Sequence, residues 1–156
     1  MRRIVLAVAA VSALSIPTAV GVAGLATPAG AAGSLSCSAL KGKTTSAITI
    51  SKCVVPKADK AAYKKLVAPS AAALAVGGPL TWTGGAVTTF GLPTLSAGSG
   101  CPAGDTAEAA TGTVTADTSV FGLTGSTYSG TVCVAPAKKP GKPQKIFNAP
   151  GSTFTL

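Results

Sequence analysis

Gly112-Thr113-Val114-Thr115-Ala116 and Gly130-Thr131-Val132-Cys133-Val134 decide the fold class of this chain. Each opens Gly-Thr-Val and sets apolar residues two apart, the period at which strand side chains return to one face. Between them lie Val120-Phe121 and the turn-rich Gly122-Leu123-Thr124-Gly125-Ser126. The pair reads as an antiparallel meander, with Val132 and Val134 inward and Cys133 on the opposite face. Three shared residues do not make a repeat architecture.

The same period recurs upstream. Ala47-Ile48-Thr49-Ile50-Ser51 places Ile48 and Ile50 together, and Leu80-Thr81-Trp82-Thr83 does the same for Leu80 and Trp82. Gly84-Gly85 then supplies a turn with positive φ at low cost, and Ala86-Val87-Thr88-Thr89-Phe90 returns as the second arm of a hairpin. At the end of the chain, Ser152-Thr153-Phe154-Thr155-Leu156 puts Phe154 and Leu156 on one face, which predicts a paired terminal strand.

One stretch departs from this pattern. Lys57-Ala58-Asp59-Lys60-Ala61-Ala62-Tyr63-Lys64-Lys65-Leu66-Val67 is rich in helix formers and follows Pro56. Tyr63, Leu66 and Val67 fall at i, i+3, i+4, and Asp59 and Lys64-Lys65 suit the two ends of a helix dipole. Pro69 ends the stretch. Residues 70–76 read as a further helical turn or two, closed by Gly77-Gly78-Pro79. The expected fold is all-β: a small antiparallel sandwich or barrel with one short helical excursion near 57–68. Closing or stacking the sheet removes the exposed edges that one open sheet would carry.

The N-terminus predicts export. Met1-Arg2-Arg3 is a positive n-region, residues 4–11 are an apolar h-region, and Ala29-Gly30-Ala31 offers small residues for cleavage after Ala31 or Ala32. The competing reading, a retained membrane anchor, is weakened by Pro17, Gly21, Gly24, Pro28 and Gly30. Arg2-Arg3 sits too close to the start for a twin-arginine signal, and Ser34-Leu35-Ser36-Cys37 is a poor lipobox. The division is therefore a cleaved secretory signal over 1–32 and one domain over 33–156, secreted or envelope-associated. The chain carries +9, and loss of both arginines with the signal leaves +7.

Four cysteines in an exported chain read as two disulfides, for which sequence permits three pairings. Cys37–Cys53 and Cys101–Cys133 are favoured, because each pair brackets a hairpin-like stretch. A structural zinc site wants closely paired cysteines, often with histidine; here the gaps are wide and histidine is absent, so no metal or cofactor is expected.

Histidine's absence also removes the usual base for a serine or cysteine nucleophile. There is no Gly-x-Ser-x-Gly elbow, and Gly98-Ser99-Gly100-Cys101 lacks the Lys-Ser/Thr of a phosphate loop. Asp105, Glu108 and Asp117 are the clustered acids, and an envelope polysaccharide hydrolase built on them is the enzymatic alternative. Trp82 is expected in the core, with an exposed sugar platform as the competing reading. The lysines form two groups, Lys57, Lys60, Lys64 and Lys65, and Lys138, Lys139, Lys142 and Lys145. They act as point charges without arginine's bidentate geometry, and few aromatic residues are available for base stacking. That argues against a specific nucleic-acid reader. Exposed lysine is the normal state of lysine, so a solvated positive face with no dedicated ligand is the favoured reading, and diffuse attraction to an anionic envelope polymer or membrane surface is the competing one.

Several short motifs recur here in a recognisable order. They are Leu35-Ser36-Cys37, Ile48-Thr49-Ile50-Ser51-Lys52-Cys53, Leu80-Thr81-Trp82-Thr83-Gly84-Gly85, Gly100-Cys101-Pro102-Ala103-Gly104, Thr111 to Thr118, Val132-Cys133-Val134 and Pro150 to Leu156. In this order the chain resembles a group of small exported actinobacterial proteins, four-cysteine and Thr/Gly-rich, with no assigned function. The resemblance implies no active residues. The functional expectation is a secreted or envelope-associated non-enzymatic β protein of unknown role, with weak lysine-mediated binding to anionic envelope material as its candidate interaction. A partner-binding module using a sheet edge is the structural alternative.

Overall fold

In the computed structural model, which describes residues 34–156, the described residues form ten strands and one helix. They are β1 (Ser36–Lys43), β2 (Ile48–Cys53), β3 (Lys65–Ala68), α1 (Ala71–Ala75), β4 (Gly78–Trp82), β5 (Val87–Phe90), β6 (Thr94–Ala97), β7 (Thr106–Asp117), β8 (Thr127–Val134), β9 (Lys145–Asn148) and β10 (Phe154–Thr155). The signal assigned to 1–32 lies outside the described residues.

The two Gly-Thr-Val segments lie in β7 and β8, which pair antiparallel with Gly112 opposite Tyr128 and Ala110 opposite Gly130. Strands β1, β2, β3, β4, β5, β7 and β8 follow one another around a ring. The eighth stave is composite: β9 joins Val132–Val134 to Lys41–Lys43, and β10 joins Ser129 to Ser36 and Cys37. The sheet thus closes into an eight-stave antiparallel barrel. Of the two architectures expected, closure wins over the sandwich because this split stave pairs both β1 and β8.

Asn148 completes the ladder where β9 hands over to β10. Its Oδ1 accepts from Leu40 N at 3.0 Å, and its Nδ2 donates to Ser152 O at 2.8 Å and to Ser38 O at 3.3 Å. A side-chain amide there stands in for the backbone groups that the break leaves unmatched.

The interior is filled by Leu40, Ile48, Ile50, Leu66, Leu80, Trp82, Phe90, Val114, Tyr128 and Phe154, all nearly inaccessible. Each such side chain contributes about 1.5–3 kcal/mol relative to exposure. Strand propensity spans only about 1 kcal/mol, so interior burial sets the register. Phe90, Tyr128 and Phe154 stack with centroids 4.4 and 6.1 Å apart about Phe90. The stack needs the two glycines: a Cβ on Gly112 would meet the Tyr128 ring, and one on Gly130 the Phe154 ring. Gly112→Ala is therefore expected to cost about 1–3 kcal/mol through overpacking. Urea midpoints measure this, and an unshifted midpoint would contradict the tight stack.

The helix lies elsewhere than the sequence pattern places it. Residues 57–63 form turns, held by Asp59 N to Pro56 O and Tyr63 N to Asp59 O, both at 3.0 Å. Residues 65–68 are strand β3, with Leu66 and Ala68 buried and Lys65 exposed. A weak helix preference yields because β3 fills the gap between β2 and β4; without it two edges would stay unpaired and the ring open. The helix is instead α1, in the segment read as a further turn or two. Ser70 caps it by accepting from Ala73 N at 3.0 Å.

Both favoured disulfides form. Cys37 and Cys53 are cross-strand partners of β1 and β2, and Cys101 fastens the loop before β7 to Cys133 of β8. Val132 and Val134 line the interior with Tyr128, while Cys133 lies on the other face. Two disulfides in so small a β domain fit an oxidising, extracellular or envelope environment.

Candidate functional site

The end of the barrel where β1 begins and β2 ends gathers four ammonium groups. Strand alternation sends Ile48 and Ile50 inward and would send Lys52 after them. Lys52 instead has φ +56°, in the left-handed region that a lysine rarely enters, and it is exposed. Lys65 opens β3 opposite Ser51, and Lys60 and Lys64 stand on the turns just before it. Lys52, Lys60, Lys64 and Lys65 thereby line one surface concavity of about 250 Å³, with Val55 and Tyr63 in its wall. Tyr63 is buried beneath it, edge-on to Trp82 at 5.4 Å and to Phe121 at 4.7 Å, so the wall rests on the aromatic core.

Three of the four lysines expected in the first group therefore converge. Lys57 is exposed on the preceding turn and does not line the concavity. Lys52, which grouping by helix face missed, takes its place. Its signal is readable: a lysine two residues beyond Ile50 on the inward face of a strand must be turned out. The second group sits at the opposite end. Lys138, Lys139 and Lys142 lie on an exposed loop, and Lys145 opens β9 opposite Lys43, where β1 ends. Thr44 N donates to Gln144 O at 3.0 Å and ties that loop to the β1–β2 turn.

The three acids do not converge. Glu108 and Asp117 stand nine residues apart on β7, roughly 30 Å at about 3.3 Å per residue. Glycosidase carboxylates sit roughly 5–9.5 Å apart. Asp105 lies in a turn closed by its own N donating to Pro102 O at 3.1 Å. Asp117 is committed to the fold. Its Oδ1 accepts from Thr88 Oγ1 at 2.7 Å and Ser119 N at 3.2 Å, and its Oδ2 accepts from Ser119 Oγ at 2.6 Å and Leu123 N at 2.9 Å. Burial pushes this carboxyl up, but these donors outweigh it and hold it below its ordinary value. Thr88 in turn accepts from Trp82 Nε1 at 2.8 Å. Trp82 is fully buried and satisfied, so it is a core residue and not a sugar platform.

Strand β6 ends the sheet order with β7 as its one neighbour, and all four of its residues are exposed. Among the described residues no three His, Cys, Asp or Glu side chains group to hold a metal ion, and all four cysteines are bonded. No helix among them is long and apolar enough to cross a membrane. The barrel buries its apolar face and turns Thr49, Ser51, Thr81 and Thr89 the other way. That reverses the apolar-out pattern of a membrane-spanning barrel.

Fold and site together define a disulfide-linked, closed antiparallel β-barrel carrying a lysine-lined concavity at one end. Comparison with family models, curated proteins and solved structures finds no match to this chain.

Proposed function

We propose that this is an exported, non-enzymatic β-barrel domain of the cell surface or envelope that holds anionic envelope polymer through lysine ammonium groups. The observation that carries the reading is the convergence of Lys52, Lys60, Lys64 and Lys65 on one concavity, one of them in a strained backbone conformation. Strain of this kind costs on the order of 1–3 kcal/mol and persists where the surroundings enforce it. The signal-like residues 1–32, the two disulfides and the positive charge, +9 for the chain and +7 without residues 1–32, support the same compartment and the same class of partner. The order of motifs supports placing the chain with the small four-cysteine actinobacterial proteins it resembles.

Ammonium groups bind polyanions by displacing counterions, so affinity falls steeply with salt. Retention of the oxidised protein on a polyphosphodiester matrix is expected to drop roughly 100- to 600-fold between 50 and 500 mM NaCl if three or four contacts form, at a slope of about −0.7 per contact as for a single-stranded polyanion. Lys52→Gly relieves the left-handed backbone while deleting one charge, so it should weaken retention while leaving stability within about 1 kcal/mol. Retention independent of salt, or undiminished in Lys52→Gly, would refute the assignment. The exposed edge of β6 favours a second reading, a module that adds a partner's strand to its sheet. The hydrolase alternative loses support with the separation of Glu108 from Asp117.

A further inference from the structure

The opposite end of the barrel holds a second concave site of a different character. A cavity of about 220 Å³ opens there, walled by Ile48, Leu74, Leu95, Tyr128, Val132 and Ile146, with α1 along one side. An engineered apolar cavity of about 150 Å³ takes up benzene, whereas pockets for whole drug-sized ligands run to about 300–1,000 Å³. The space suits an apolar chain segment or ring, not a larger molecule. Leu95 in the wall is itself 51% exposed, and exposed Leu92 and Val76 adjoin the lining residues Pro93 and Ala75 in sequence. The Tyr128 hydroxyl does not point a free donor into the space, because it is spent on Gly91 O at 2.8 Å.

The charges at this end define the head that would accompany such a chain. Lys43 and Lys145 are cross-strand partners at this end, on the strand face opposite Ile146, and the loop bearing Lys138, Lys139 and Lys142 is tied through Gln144 to Thr44 in the cavity wall; the five ring this end without lining the cavity itself. Against these five cations stand Glu108, the one charged side chain that lines the cavity, and Asp105 just before β7. The balance is positive. We infer that this cavity binds a free single-chain anionic amphiphile, its alkyl end among Ile48, Leu74, Val132 and Ile146 and its anionic head toward the lysines. The site stands at the other end of the barrel from the polymer-binding concavity and does not depend on it.

The test titrates the oxidised protein with monomeric dodecanoate and follows cavity methyl resonances by NMR, with calorimetry for affinity. Saturable one-site binding with shifts at Leu74, Val132 and Ile146 is expected. Ala75→Trp, placed at the exposed mouth, and Val132→Phe, in the wall, should each weaken binding at least tenfold, so a folding failure of the second leaves the first to decide. Lys142→Glu/Lys145→Glu should weaken it severalfold. Glu108→Gln should tighten it about two- to fivefold, and dodecyltrimethylammonium should bind at least tenfold more weakly than dodecanoate. Dodecanoate that leaves the cavity methyls unmoved, equal binding in Ala75→Trp, or preference for the cationic amphiphile each overturns the inference. Cavity shifts with anionic diacyl vesicles but none with dodecanoate would also overturn it, assigning this end to a membrane surface instead.

Discussion

Removing both disulfides is expected to leave this protein barely folded. The cross-links span sequence separations of 16 and 32 residues. In the chain-entropy picture they contribute about 3 and about 3.7 kcal/mol by constraining the unfolded chain. Together that is about 6–7 kcal/mol against a usual total of roughly 5–15 kcal/mol. Cys37 and Cys133 are also fully buried, so unbonded thiols there would sit in packed surroundings. Cys101→Ser/Cys133→Ser should lower the thermal midpoint by roughly 15 °C, at about 4 °C per kcal/mol for a domain of this size. Cys37→Ser/Cys53→Ser should cost slightly less, and the quadruple variant should be largely unfolded at 37 °C. Calorimetry of the three variants measures this; midpoints within a few degrees of the parent would show that the barrel closes without its staples.

Asp117→Ala is expected to cost about 3–4 kcal/mol. The carboxylate accepts four hydrogen bonds, and bonds to a charged acceptor contribute about 1.5–3 kcal/mol each, with overlap among neighbours. Its loss strands the hydroxyl of Thr88, which is wholly buried and already accepts from Trp82. It also frees the Ser119–Leu123 turn that leads into β8. The pH dependence follows from the same contacts. The folded carboxyl titrates below its unfolded value, so its stabilisation is fully present above about pH 4 and is lost as pH falls from there through the folded pKa. Asp117→Asn should therefore flatten the loss of stability below about pH 4 while lowering stability at pH 7. Urea unfolding at pH 7 and pH 3 separates the two effects. An Asp117→Ala penalty under 1 kcal/mol, or an unchanged acid slope in Asp117→Asn, would contradict the network.

Period-two patterning was legible wherever a strand alternates large apolar with small polar residues, as in Ile48–Ile50, Leu80–Trp82 and Val132–Val134. The terminal strand and both disulfide pairings were legible for related reasons of face and bracketing. β3 was not, because Lys65–Ala68 has no local signal strong enough to outweigh the helix formers before it; its strand state comes from two neighbours far apart in sequence. β6 and β9 are short, and β1 is rich in Ser, Lys and Gly, so closure of the ring specifies them. Asn148 was invisible for the same reason, since its role exists only where β9 hands over to β10. At the candidate site, Lys60, Lys64 and Lys65 were named, but for a helix face that does not form. A turn and a strand start bring them together, and Lys52 joins through a left-handed residue that composition alone does not announce.

We propose that one end of this barrel, and not its charge in general, holds anionic envelope polymer. Retention on isolated envelope at low salt, compared between Lys52→Gly/Lys60→Glu/Lys64→Glu and Lys138→Glu/Lys139→Glu/Lys142→Glu, tests it most directly. Both variants carry large reductions in net charge, five and six units respectively, so a nonspecific field would weaken both. The first variant should be lost from the envelope fraction while the second is largely retained. Equal retention of the two, or loss of the second alone, would contradict it.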